Sequence, residues 1–92
     1  MKLNAALGSV IRDIRMEKGM TLRDLSNKSF ISLGHLSDTE RGTKNISPDL
    51  IEAVAFGLDI PSYHLIQVAG MRMEFQNAPI QMNADKLVVT NS

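Results

Sequence analysis

Ninety-two residues, 43% of them hydrophobic and 22% charged, can build one small core but not two. The chain has no cysteine, which excludes a disulfide framework and a thiolate metal site, and its two histidines, His35 and His64, cannot by themselves assemble a metal centre. The net charge of zero hides a split: residues 1–45 carry eight Lys/Arg against five acids, or +3, while residues 46–92 carry two against five, or −3.

That polarity suits a basic face turned towards an anion. No apolar run approaches the roughly 20 residues that span a bilayer, and no signal-peptide pattern opens the chain. The expectation is a cytoplasmic protein with no membrane partner.

In chain order, the first element reads as a helix from about Asn4 to Lys18. Leu7, Val10, Ile11 and Ile14 make one apolar stripe at i, i+3, i+4 and i+7, Asn4 is the candidate N-cap, and Gly19 is the stop. Thr21 and Asp24 have the spacing of a capping box and start a short second helix, Leu22 to about Lys28, with Leu25 facing inward. Ser32 caps a third helix that ends at Gly42, with Leu36 and Thr39 inward, and Thr43-Lys44-Asn45 forms a polar loop. Ser47-Pro48-Asp49 is a strong helix start, followed by an apolar face of Leu50, Ile51, Val54, Ala55 and Leu58 and closed at Asp59. Pro61-Ser62 opens a fifth short helix carrying Leu65, Ile66 and Ala69.

Beyond Gly70, Met71, Met73 and Phe75 alternate with Arg72 and Glu74, which is strand period, although Val68, Met71 and Phe75 also fit a continuing helix. Extended structure is the favoured reading there. The fold class is therefore all-α: a compact five-helix domain over residues 1–69, followed by a C-terminal extension over 70–92.

Helices two and three have the length and punctuation of a helix-turn-helix. Ser26 stands where the first helix must admit the second closely. Ile31 and Leu36 anchor the second helix, which leaves Leu33, Gly34, Ser37, Asp38 and Arg41 outward. A helix entering a DNA major groove about 12 Å wide needs small residues at its leading edge, and Gly34 and Ser37 supply them. Leu33 can meet a thymine methyl, Ser37 can hydrogen-bond to a base, and Asp38 can accept from a cytosine amino group, so these three and Gly34 are the candidate base readers. Ser32, at the helix start, is a candidate phosphate ligand, joined by Arg23, Lys28, His35, Arg41, Lys44 and Asn45. Glu40 has a structural reading instead, holding the following loop by hydrogen bonds or an ion pair, and His64 likewise reads as structural.

The stretch TLRDLSNKSFISLGHLSDTERG, followed by N-x-SPDLIEAVAFGLDIPSYHL, resembles the XRE family of lambdoid-repressor and Cro-like helix-turn-helix proteins over roughly Leu7 to Ile66. Its most specific parts are Glu40-Arg41-Gly42, the N-x-S/P entry to helix four and the hydrophobic skeleton. Within that family, ISLGHLSDTERG is especially similar to actinobacterial regulators of Clp protease genes and to small phage-encoded regulators. The resemblance implies a transcription regulator that binds double-stranded DNA as a homodimer, its third helix in the major groove, with no catalysis.

Leu22 stands where the family often has a Gln that contacts DNA, and Leu33 and Gly34 stand where polar residues often lead the recognition helix. Phe30 replaces a frequent turn glycine. A left-handed backbone there strains the chain by about 1–2 kcal/mol, which burial of the ring would offset.

An apolar tail beyond a complete domain has little core left to cover. A partner subunit is expected to cover Met71, Met73, Phe75, Ile80, Met82, Leu87, Val88 and Val89, in a two-fold dimer whose recognition helices lie one DNA turn, about 34 Å, apart. The alternative function is an antitoxin that binds a toxin and represses its own operon. The sequence offers no nucleophile–base set or phosphate loop, so no enzyme, cofactor or small-molecule ligand is expected.

Overall fold

Capping side chains set the starts of three of the five helices. The structure, a computed structural model, describes residues 2–77. Five helices follow in order: α1 (Leu3–Glu17), α2 (Leu22–Ser29), α3 (Leu33–Arg41), α4 (Pro48–Leu58) and α5 (Ser62–Asn77). Thr21 and Asp24 form the expected capping box: the Thr21 hydroxyl accepts the Asp24 N–H at 3.0 Å and the Asp24 carboxylate accepts the Thr21 N–H at 2.9 Å. Ser32 and Ser47 cap α3 and α4 by accepting from His35 N–H and Leu50 N–H. Gly42 closes α3 in the left-handed conformation, φ 71°, its N–H donating to the Thr39 carbonyl while Thr43 N–H reaches back to Asp38.

One cap is not where the sequence places it. Asn4 lies inside α1, which starts at Leu3 behind Lys2. Its amide instead ties α1 to the loop before α4, donating to Asn45 Oδ1 at 2.9 Å and accepting from Ile46 N–H at 3.3 Å.

The apolar stripes meet in one core of Leu7, Val10, Ile11, Leu25, Leu36, Leu50, Val54, Leu58, Leu65 and neighbouring alanines. Helix α1 packs on α3, α4 and α5, while α2 packs on α3 and α4. Two glycines permit the closest approaches. A Cβ at Gly8 would lie 2.3 Å from the Thr39 carbonyl oxygen, so α1 and α3 meet backbone to backbone. A Cβ at Gly57 would lie 2.9 Å from both Leu25 Cδ1 and Ser29 Cβ, so α4 presses on α2.

Helix α5 corrects the extended reading of the segment after Gly70 as far as Asn77. It runs unbroken for 16 residues, so the boundary expected between 69 and 70 falls within it. The alternation of Met71 and Met73 is overridden by tertiary contacts. Ala69 is buried, Met73 packs against the core, and Arg72 donates to Asp13 Oδ2 at 2.8 Å and to Ser9 Oγ on α1. Met71 and Ile66 are exposed on this helix. Ile80, Met82, Leu87, Val88 and Val89 lie outside the described residues.

Phe30 adopts the left-handed conformation (φ 63°), but its ring is 87% exposed, so burial does not offset the strain as the sequence reading allowed.

These contacts set opposite expectations for two substitutions. Gly8→Ala forces α1 and α3 apart, and overpacking of about 1–3 kcal/mol outweighs the helix-propensity gain of up to about 1 kcal/mol. Its thermal midpoint, followed by circular dichroism, should fall by several degrees. Phe30→Gly relieves about 1 kcal/mol of backbone strain and should raise the midpoint by roughly 4–8 °C. A Gly8→Ala midpoint at or above wild type would contradict the close helix contact.

Candidate nucleic-acid interface

Helix α3 has two unlike sides. Leu36 and Thr39 are buried, and Thr39 satisfies its own hydroxyl by donating to the His35 carbonyl at 2.8 Å. Glu40 completes this inner side with an ion pair to Arg15 of α1: Nε donates to one carboxylate oxygen at 2.7 Å and Nη2 to the other at 3.0 Å. The side chains are 13% and 8% exposed, and Arg15 Nη1 also donates to the Met20 carbonyl at 2.8 Å. The Glu40 hydrogen bonds, helped by its charge, hold the Arg15 guanidinium above its ordinary pKa in spite of burial. Glu40 is thus structural, as expected, but it grips Arg15 of α1 rather than the loop that follows it.

The outer side is the stripe Gly34, Ser37, Asp38 and Arg41, at i, i+3, i+4 and i+7. Gly34 is exposed, with nothing within 4 Å of where a Cβ would sit. Leu33 and His35 flank it and are exposed, while Ser37 and Asp38 are half-buried. Arg41 folds back along the stripe, donating from Nη1 to Ser37 Oγ at 2.6 Å and from Nη2 to Asp38 Oδ1. Lys44 Nζ lies 3.4 Å from the other Asp38 oxygen. The two cations are therefore gathered around Asp38, a geometry that the sequence reading did not anticipate.

The remaining candidates are spread more widely. Ser32 is exposed at the start of α3, and Arg23 is exposed in the first turn of α2. Lys28 is exposed in the last turn of α2 and borders a shallow groove with Phe30, Phe56, Gly57 and Asp59. Asn45 is exposed but engaged with Asn4 through its side-chain carbonyl. Within the helix pair, Ser26 Oγ donates to the Ile31 carbonyl at 2.5 Å, so the small residue expected there fastens the turn between α2 and α3. His64, read as structural, is exposed at the start of α5. Among the described residues, no group of three metal-ligating side chains gathers and no helix is long and apolar enough to cross a membrane.

A helix-turn-helix family model matches residues 11–64. The chain belongs to the XRE-type helix-turn-helix family. The transcriptional regulator ClgR of Mycobacterium tuberculosis is 41% identical over 70 residues, which take in 76% of this chain and 62% of ClgR. The chain thus spans somewhat under two thirds of that relative's length. The regulator DdrOP3 of Deinococcus deserti is 33% identical over 57 residues, covering 62% of this chain and 44% of DdrOP3.

Among solved structures, the clp gene regulator ClgR of Corynebacterium glutamicum superposes with a TM-score of 0.79 at 37% identity, covering 85% of this chain and 83% of that one. The restriction-modification controller protein C.Esp1396I, as a tetramer with its 35-base-pair operator, superposes with a TM-score of 0.73 at 29% identity, covering 79% and 96%. ClgR and DdrOP3 are transcriptional regulators, not enzymes.

In this XRE-type chain the capping box of α2 supplies a pH test. Asp24 sits below the usual aspartate range, chiefly because the Thr21 backbone N–H donates to it, with the Thr21 side chain and the Lys28 charge adding to the effect. A lowered folded pKa stabilises the fold above the unfolded value, about 4, and that contribution is lost as pH falls through the folded value. Asp24→Asn should therefore lower the thermal midpoint at pH 7, and its gap from wild type should close below about pH 4. A gap unchanged between pH 7 and pH 3 would contradict this role.

Proposed function

We propose that this chain is a cytoplasmic transcription regulator that binds duplex DNA as a homodimer, with α3 in the major groove. The observation that carries the reading is the outward stripe of α3. Gly34, Ser37, Asp38 and Arg41 share one face opposite buried Leu36 and Thr39, in a family whose member C.Esp1396I is known in complex with operator DNA.

Gly34 lets the helix backbone approach the base pairs, Ser37 reads by hydrogen bonding and Leu33 meets a thymine methyl. Ser32, with the amides of the first turn, takes a phosphate, and Arg23, Lys28, His35, Lys44 and Asn45 fix the register on the backbone. Dimerisation involves α5, where exposed Met71 is joined by exposed Tyr63 and Ile66, while Met73 is occupied by its own core. The relatives being transcriptional regulators favours this reading over the antitoxin.

Selection of bound duplexes from a random pool tests it. A two-fold symmetric consensus is expected, with half-sites about one helical turn apart. Arg23→Ala and Lys28→Ala should weaken binding to all sequences alike and lower the salt slope by about 1 each, whereas Ser37→Ala should relax one base-pair preference. Gly34→Leu, placed in open space, should fold as stably as wild type and lose the consensus. No enrichment of any duplex, or an unchanged consensus with Gly34→Leu, would overturn the proposal.

A further inference from the structure

The sequence reading divides α3 into base readers, Asp38 among them, and phosphate ligands, Arg41 among them. The hydrogen bonds within the outward stripe suggest a different division. We infer that Arg41 reads a guanine through a guanidinium aimed by Ser37 and Asp38, and that Asp38 is a positioning residue. This inference rests on the DNA-binding reading and specifies how one base pair is chosen.

Three observations support it. First, Arg41 lies on the same face as Gly34 and Ser37, and its side chain runs back along that face, so its charged end sits beside the residues that enter the groove. Second, the guanidinium is held at two points, Ser37 Oγ and Asp38 Oδ1, while its side chain stays 59% exposed. Its remaining N–H groups are fixed in direction and open to a ligand. Two donors on a rigid plane match the O6 and N7 acceptors that only guanine offers together in the major groove.

Third, Asp38 is a poor neighbour for a phosphate. Its carboxylate touches the guanidinium and has Lys44 Nζ 3.4 Å from the other oxygen, so one negative charge is shared by two cations and offsets part of the charge on Arg41. The carboxylate weakens the pull of Arg41 on a phosphate, a full anion, more than its pull on the neutral edge of guanine. The same engagement turns one Asp38 oxygen towards Arg41 rather than towards a cytosine amino group.

The test is a binding panel on the selected consensus and its single base-pair variants, with wild type, Arg41→Ala, Arg41→Lys and Asp38→Ala, each first verified as folded by circular dichroism. Wild type should prefer guanine at one half-site position by about 5- to 150-fold. Arg41→Ala and Arg41→Lys should both erase that preference, with the salt slope unchanged, because no phosphate contact is lost. Asp38→Ala should weaken the preference at the same position and no other.

A uniform loss across sequences with a slope lowered by about 1 in Arg41→Ala would make Arg41 a phosphate ligand and overturn the inference. A changed preference at a different base pair in Asp38→Ala would make Asp38 a reader in its own right, which also overturns it. Wild-type protein that enriches no duplex would defeat the DNA-binding reading itself, and this inference with it.

Discussion

Glu40 reaches inward from the last turn of α3 and takes the Arg15 guanidinium on both carboxylate oxygens, while the same arginine holds the Met20 carbonyl. One side chain thereby joins α1, the loop before α2 and the end of α3. Removing one partner of this part-buried pair leaves hydrogen-bonding charged groups unpaired, at about 1.5–3 kcal/mol, so the rotation of α3 about its axis is set. The contact at Gly8 fixes how near α3 lies to α1, and buried Leu36 supplies the apolar anchor. With the inner side of α3 committed in this way, the stripe from Gly34 to Arg41 has only solvent or a ligand to meet.

That stripe breaks a local rule. Gly34 stands in the first turn of α3, where glycine is a poorer helix former than alanine, and nothing around it requires glycine. Departures from local preference without a packing reason concentrate where a chain contacts something else. The same helix then places its longest side chain, Arg41, behind two small residues, with Ser37 and Asp38 limiting where its charge can go. Close approach at the front and a fixed fork of donors behind are complementary requirements for reading a groove.

Much of this fold is legible in the sequence because its signals are local. The capping box at Thr21 and Asp24, the Ser47-Pro48 start and the left-handed close at Gly42 each depend on neighbours a few residues apart, and each forms as expected. What the sequence hides is long-range. Nothing in the spacing of Arg15 and Glu40, or of Asn4 and Asn45, announces that they meet, because their separation reflects how the helices cross rather than any helical period. The spacing of Met71 and Met73 left strand and continuing helix both open, and burial of Ala69 and packing of Met73, with the Arg72–Asp13 pair, go with the helix. Phe30 shows the remaining gap: its left-handed backbone could be inferred from its place in the turn, but the exposure of its ring could not. For the interface, the outward set on α3 was legible from periodicity, whereas the gathering of Arg41 and Lys44 around Asp38 was not.

Everything proposed for α3 requires that its outward stripe be the surface that meets a duplex. Chemical-shift mapping by NMR, with the labelled protein titrated against its selected duplex, addresses this directly. The largest backbone amide shifts are expected from Ser32 through Arg41 and at the first turn of α2, with the middle of α4 unmoved. Shifts concentrated on α4 and α5, with the amides of α3 unchanged at saturation, would contradict it.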